Sequence, residues 1–122
     1  MNKRHAITAF ALTCLLGLSV QYAQAHAMLE QADPGAGRIL EHPPEAIVLR
    51  FDSKLELPFC HIRVEDASGR QLDDGRISFA NQQHDTLQLA LPLLPSGTFH
   101  VLWSVVSRDG HRTQGDFHFT LR

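Results

Sequence analysis

From Ala46 onward the chain alternates apolar and polar residues in short runs. Ile47, Leu49 and Phe51 interleave with Val48, Arg50 and Asp52. Ile62 and Val64 alternate with His61, Arg63 and Glu65, and Leu87, Leu89 and Leu91 with Gln88 and Ala90. Phe99, Val101, Trp103 and Val105 share one phase, and Phe117, Phe119 and Leu121 another. Period two puts one side of each run in a core and the other in water, which predicts strands. Turn chemistry separates them at Asp33-Pro34-Gly35, His42-Pro43-Pro44, Ser68-Gly69, Asp74-Gly75, Pro95-Ser96-Gly97 and Asp109-Gly110. Short strands with frequent turns predict an all-β sandwich or barrel. Only Ile39-Leu40-Glu41 suggests helix, a single turn stopped by Pro43 and Pro44. No repeat or linker divides the chain, so one domain is expected.

The first 25 residues read differently. Lys3 and Arg4 precede a 15-residue apolar stretch, Ala6 to Val20, and Ala23-Gln24-Ala25 follows. A basic start, an apolar segment and an A-x-A site are the parts of a secretory signal peptide. The stretch is short for a membrane span, which needs ~20 apolar residues. Cys14 sits inside it and makes a poor lipid-attachment signal. The expected organisation is a cleaved signal peptide over 1–25 and a mature domain over 26–122, exported to the periplasm.

Cleavage would take Lys3 and Arg4 but no acid, leaving 9 basic against 13 acidic residues. That balance, without a basic run, argues against nucleic acid, which is held through phosphates by Lys and Arg. One cysteine, Cys60, would remain, so no internal disulfide is expected.

Cleavage after Ala25 would also make His26 the first residue, with a free α-amine beside its own imidazole. Those two nitrogens can close a chelate ring on a metal ion. A second candidate set is Asp109-Gly110-His111, just beyond the strongest predicted strand. Gly110 permits a turn in which both flanking side chains face one spot. His26, Asp109 and His111 together offer three nitrogens and one oxygen. Tetragonal N,O coordination suits Cu(II), which also heads the divalent affinity series; zinc favours tetrahedral sites. Amine and imidazole must lose protons to bind, with ordinary pKa values of ~7.7–8.0 and ~6.5, so binding should weaken as pH falls.

The segment Trp103-Ser104-Val105-Val106-Ser107-Arg108-Asp109-Gly110-His111-Arg112-Thr113-Gln114-Gly115 resembles the W-x-V-x-S-x-D-x-H-x-x-x-G signature of the CopC-type periplasmic copper-resistance proteins. His26-Ala27-Met28 through Pro34-Gly35-Ala36-Gly37 is similar to that family's start, and Pro43 through Phe51 to its next strand. The resemblance implies an immunoglobulin-like or cupredoxin-like Greek-key β-sandwich holding one Cu(II). Its ligands would be the amine and imidazole of His26 (a histidine brace), the Asp109 carboxylate and the His111 imidazole. Met28 would be the one methionine left, so the thioether cluster that some members use for Cu(I) cannot form. The implied role is copper homeostasis or resistance, by buffering Cu(II) or passing it to a separate inner-membrane copper transporter or periplasmic copper protein. A monomer without catalytic activity is expected.

Two other readings compete. A histidine brace with an open position supports copper-dependent oxidation, although Asp109 would fill a position such enzymes leave to water or oxygen. A metal-free accessory sandwich is the third. Cys60 and His61 are neighbours on a strand and face opposite ways, so Cys60 is expected in the core rather than at a metal. His42 and His84 are expected in solvated loops. His100 and His118 lie on polar phases and would face each other if their strands pair. Arg108 and Arg112 are expected in solvent, with a hydrogen bond holding Asp109 as their functional alternative. Ser104 and Ser107 lie near His111, but no base marks either as a nucleophile.

Overall fold

The alternating runs become the strands of two facing sheets in a computed structural model that describes residues 27–122. The expected signal segment and His26 lie outside the described residues. The strands are β1 (Leu29–Asp33), β2 (Ile39–Leu40), β3 (Ala46–Phe51), β4 (His61–Glu65), β5 (Ile77–Phe79), β6 (Thr86–Ala90), β7 (Gly97–Val106) and β8 (Arg112–Leu121). One sheet runs β1-β3-β6-β5 and the other β2-β8-β7-β4. Every pairing is antiparallel except β2 with β8. The chain crosses between sheets at every connection except β5 to β6 and β7 to β8, which makes the expected all-β sandwich.

The predicted inward phases form the core. Ile47, Leu49 and Phe51 of one sheet meet Ile62, Val64, Phe99, Val101, Val105, Phe117, Phe119 and Leu121 of the other. The rings of Phe99 and Phe119 lie 5.4 Å apart, and Phe51 meets Trp103 edge-on at 5.2 Å. Trp103 is only partly buried. Its ring lies over Gly115, its partner on β8, where a Cβ would stand 2.5 Å from the ring.

The one predicted helical turn is a correction. Ile39 and Leu40 form a strand against Thr120 and Leu121. Thr120 N donates to Arg38 O at 2.8 Å and Arg122 N to Leu40 O at 2.9 Å. A two-residue apolar run is too short to show a period, and the open edge of β8 captures it. Among the described residues the single helical element is instead a short 3-10 turn at Leu57–Phe59. Among the described residues no helix is long and apolar enough to cross a membrane.

β7 and β8 form the longest hairpin, paired from Gly97↔Leu121 to Val106↔Arg112. Its tip carries Asp109 and His111.

Candidate metal centre

The tip is built by its own sequence. Gly110 N donates to Ser107 O at 2.9 Å, and Ser107 N to His111 O at 3.0 Å. Gly110 has φ of 87°, the left-handed region where glycine closes such hairpin loops at no steric cost. Asp109 and His111 are thereby turned to one side: His111 Nδ1 lies 3.1 Å from Asp109 Oδ2. The sequence expectation that these two side chains face one spot is met.

Asp109 is held from several directions. The Ser107 hydroxyl donates to Asp109 Oδ1, and His111 N donates to the same oxygen at 3.1 Å. These donors, Ser107 first, then the His111 backbone and side chain, lower the Asp109 carboxyl to about 2. It is therefore a carboxylate at any physiological pH, aimed before a cation arrives. Ser107 is itself 2% exposed, pinned by an isolated bridge to Leu55. The flanking segment is tied on as well, with Arg108 N donating to Lys54 O at 3.0 Å and Glu56 N to Val106 O at 2.9 Å.

The described chain starts beside this tip. Thr113 Oγ1, two residues past His111, donates to Ala27 O at 2.7 Å. Met28 N donates to Asp52 Oδ1 at 2.7 Å, and Asp52 N to Met28 O at 3.0 Å. Ala27 is fully buried. The residue bonded to His26 is thus fixed against the strand that carries His111.

Two donors each ~2.0 Å from one ion stand ~2.8 Å apart at right angles and ~3.3 Å apart at the tetrahedral angle. The 3.1 Å between Asp109 and His111 falls between these values, but here it is the length of the hydrogen bond from His111 Nδ1 to Asp109 Oδ2, which an ion would have to replace. Among the described residues no three His, Cys, Asp or Glu side chains converge on one ion. The pair offers one oxygen and one nitrogen side by side.

Three of the groups that hold the site were not anticipated. Ser107 was considered only as a nucleophile, and its role as donor to Asp109 depends on loop geometry. Thr113 and Asp52, which fix Ala27 and Met28, carry no sequence signal of their own. The arginines do not hold Asp109: Arg112 Nη1 donates to Ser104 Oγ at 2.6 Å, and Arg108 is exposed. Cys60 is buried as expected, its thiol donating to Glu56 O at 3.2 Å, and burial pushes its pKa up. His42 is exposed; His84 is exposed too but stacks on Phe79 at 4.3 Å. His100 and His118 do face each other across the β7–β8 pair.

A two-sheet β fold with a carboxylate–imidazole pair on one hairpin tip is the class that these observations define. The chain belongs to the CopC family: the CopC domain model matches residues 29–122. Protein YobA of Escherichia coli K12 is 32% identical over 101 residues, covering 80% of each chain. The copper transport protein CutJ of Bacillus subtilis is 26% identical over 98 residues, 80% of this chain but 18% of CutJ. The crystal structure of CopC from Methylosinus trichosporium OB3b matches with a TM-score of 0.75 at 29% identity, over 79% of this chain and 93% of that one. PcoC, a methionine-rich copper resistance protein of E. coli, matches with a TM-score of 0.71 at 25% identity, over 80% of this chain and all of PcoC.

Proposed function

We propose that this protein is a periplasmic Cu(II)-binding protein of copper homeostasis or resistance, holding one ion through the amine and imidazole of His26, the Asp109 carboxylate and the His111 imidazole. The observation that carries the reading is the Asp109–His111 pair, 3.1 Å apart, at the tip of the hairpin whose strand β8 ties down Ala27. A metal bound there gains from a carboxylate that is already ionised and aimed, so proton release on binding falls to the imidazoles and the amine. Copper(II) is favoured over zinc by its place in the affinity series. Kinship with a copper resistance protein and with a copper transport protein supports the same metal.

Four strong ligands leave no equatorial position for oxygen, so the protein buffers or carries the ion and does not catalyse. CutJ is a transport protein in which the matched segment is a minor part, and the recipient proposed here is a separate copper transporter or periplasmic copper protein.

The test is a Cu(II) titration, followed by EPR, of a chain beginning at His26, beside one with an extra residue ahead of it. Tight binding with a nitrogen-rich tetragonal spectrum, lost in the extended chain, is expected. Equal weak binding in both would remove the amine from the site and favour the metal-free sandwich.

A further inference from the structure

We propose a second metal-binding site, for a divalent transition ion with Cu(II) preferred, on the outer face of the β4–β7–β8 sheet, built on His100 and His118. Glu65, His100 and His118 are register partners on three adjacent strands, Glu65↔His100 and His100↔His118. Their side chains form one row on one face, because the neighbouring Val64, Phe99, Val101, Phe117 and Phe119 all point into the core. The two imidazoles stack with centroids 4.1 Å apart and planes 6° from parallel. Asp116, two residues before His118, joins the same face, with Oδ2 2.6 Å from His100 Nε2. A groove of about 350 Å³ adjoins them, lined by Glu65, Asp66, Thr98, Gly69 and both histidines.

Two imidazoles and a carboxylate on one open face are ligands of borderline hardness, suited to Cu(II) ahead of Zn(II). Glu65 and Asp66 line the groove but are each paired with an arginine, Arg63 at 2.7 Å and Arg70 at 3.6 Å, so the carboxylate offered to an ion beside the rings is that of Asp116. No three of these groups converge as they stand. Chelation requires the rings to turn about χ2, a torsion that is broad for histidine, and water would complete the shell. The ion would therefore bind more weakly than one held by a preset four-ligand set. His118 lies seven positions beyond His111, roughly 24 Å at strand rise, so the two sites cannot share an ion.

The test is a Cu(II) titration of the tag-free chain beginning at His26, read by ¹H–¹⁵N spectra in which the paramagnetic ion broadens nearby amides. The proposal expects a second, weaker equivalent whose broadening centres on Glu65, His100, Asp116 and His118. It expects that equivalent to disappear in His100→Gln/His118→Gln and to persist in His111→Gln, which weakens only the hairpin-tip site. Asp116→Asn should weaken the second equivalent severalfold. Broadening confined to the hairpin tip through two equivalents would overturn the proposal, and so would uptake unchanged by the double variant. The broadening pattern is read on the unaltered chain, so it does not depend on how the variants fold.

Discussion

Ser107 shows how a small residue sets the properties of a site by holding its neighbour: it donates to the Asp109 carboxylate. Its hydroxyl is the foremost of the donors that bring the Asp109 carboxyl down to about 2. Ser107→Ala should let that carboxyl rise towards the ordinary ~3.9 of an aspartate, which an NMR titration of the metal-free chain would record. At pH 7 both forms are ionised, so the variant loses aim rather than charge. Removing a group that orients a metal ligand typically costs 10- to 100-fold in affinity, and about tenfold weaker Cu(II) binding is expected, equal at pH 7 and pH 8. A loss that grew between pH 8 and pH 7 would mean that protonation, not orientation, is at work. The D-x-H spacing made the meeting of Asp109 and His111 legible in the sequence, because a glycine between two polar residues says where the chain turns. Ser107 was not legible in that role. A serine becomes a cap only when the turn brings its hydroxyl round to the carboxylate, and the one-dimensional pattern does not hold that geometry. The expectation that His26 is a ligand rests on the signal-peptide pattern ahead of it and lies outside the described residues.

Strands were legible as elements wherever alternation ran for five residues or more, since burial and period two express the same constraint. Their partners were not. Alternation fixes which face a strand buries but not what it pairs with, so β2 against β8 and the short β5 emerge only in three dimensions. The W-x-V-x-S-x-D-x-H-x-x-x-G spacing does have a mechanical reading within the β7–β8 hairpin. Trp103 lies across Gly115, Val105 enters the core, Ser107 holds Asp109, and His111 completes the tip. Gly115→Ala would place a Cβ 2.5 Å from a ring already wedged against Phe51. Overpacking of this kind costs about 1–3 kcal/mol, with a shift in Trp103 fluorescence as the ring moves. Gly110→Ala meets nothing within 4 Å, so its cost is the left-handed backbone alone, about 1 kcal/mol, with the fluorescence unchanged. Urea unfolding of both variants separates the two causes. The turn before β6 is held differently. Asp85 accepts from Asn81 and Thr86 side chains, which lower its carboxyl pKa, Asn81 foremost, while its carbonyl accepts from Phe51 N of β3. A depressed folded-state pKa contributes stability that is fully present above the unfolded value of ~3.9 and is lost as pH falls through the lower folded one. The stability gap between wild type and Asp85→Asn should therefore be full above about pH 5, begin to narrow at about pH 4 and go on closing as pH falls through the lowered folded pKa. A gap that stayed constant across that range would rule out the carboxylate as its source.

On the scale of the whole molecule, the proposed copper site joins the two sheets. Ala27 and Met28 lead into β1 of one sheet, while Asp109 and His111 cap the β7–β8 hairpin of the other. In the folded chain Thr113 and Asp52 already hold this junction. In the unfolded chain the amine and imidazole of His26 remain a local chelate, because they belong to one residue. Asp109 and His111, more than 80 positions away, lose their place beside it. Copper would therefore favour the folded state by the difference between four gathered ligands and two. Ligand at a hundredfold excess over its dissociation constant, with no binding to the unfolded chain, stabilises by ~2.7 kcal/mol. For a domain of this size that corresponds to a rise in Tm of roughly 10–20 °C, an upper bound because the local chelate survives unfolding. His111→Ala should reduce the shift more than it reduces copper uptake, since uptake by the His26 chelate continues without any preference for the fold. Acidification from pH 8 to pH 5.5 should erase the shift, because protons compete with the ion for the amine and the imidazoles. Differential scanning calorimetry with and without one equivalent of Cu(II) measures all of this. A shift that survived both His111→Ala and an extra residue ahead of His26 would place the stabilising ion elsewhere on the molecule.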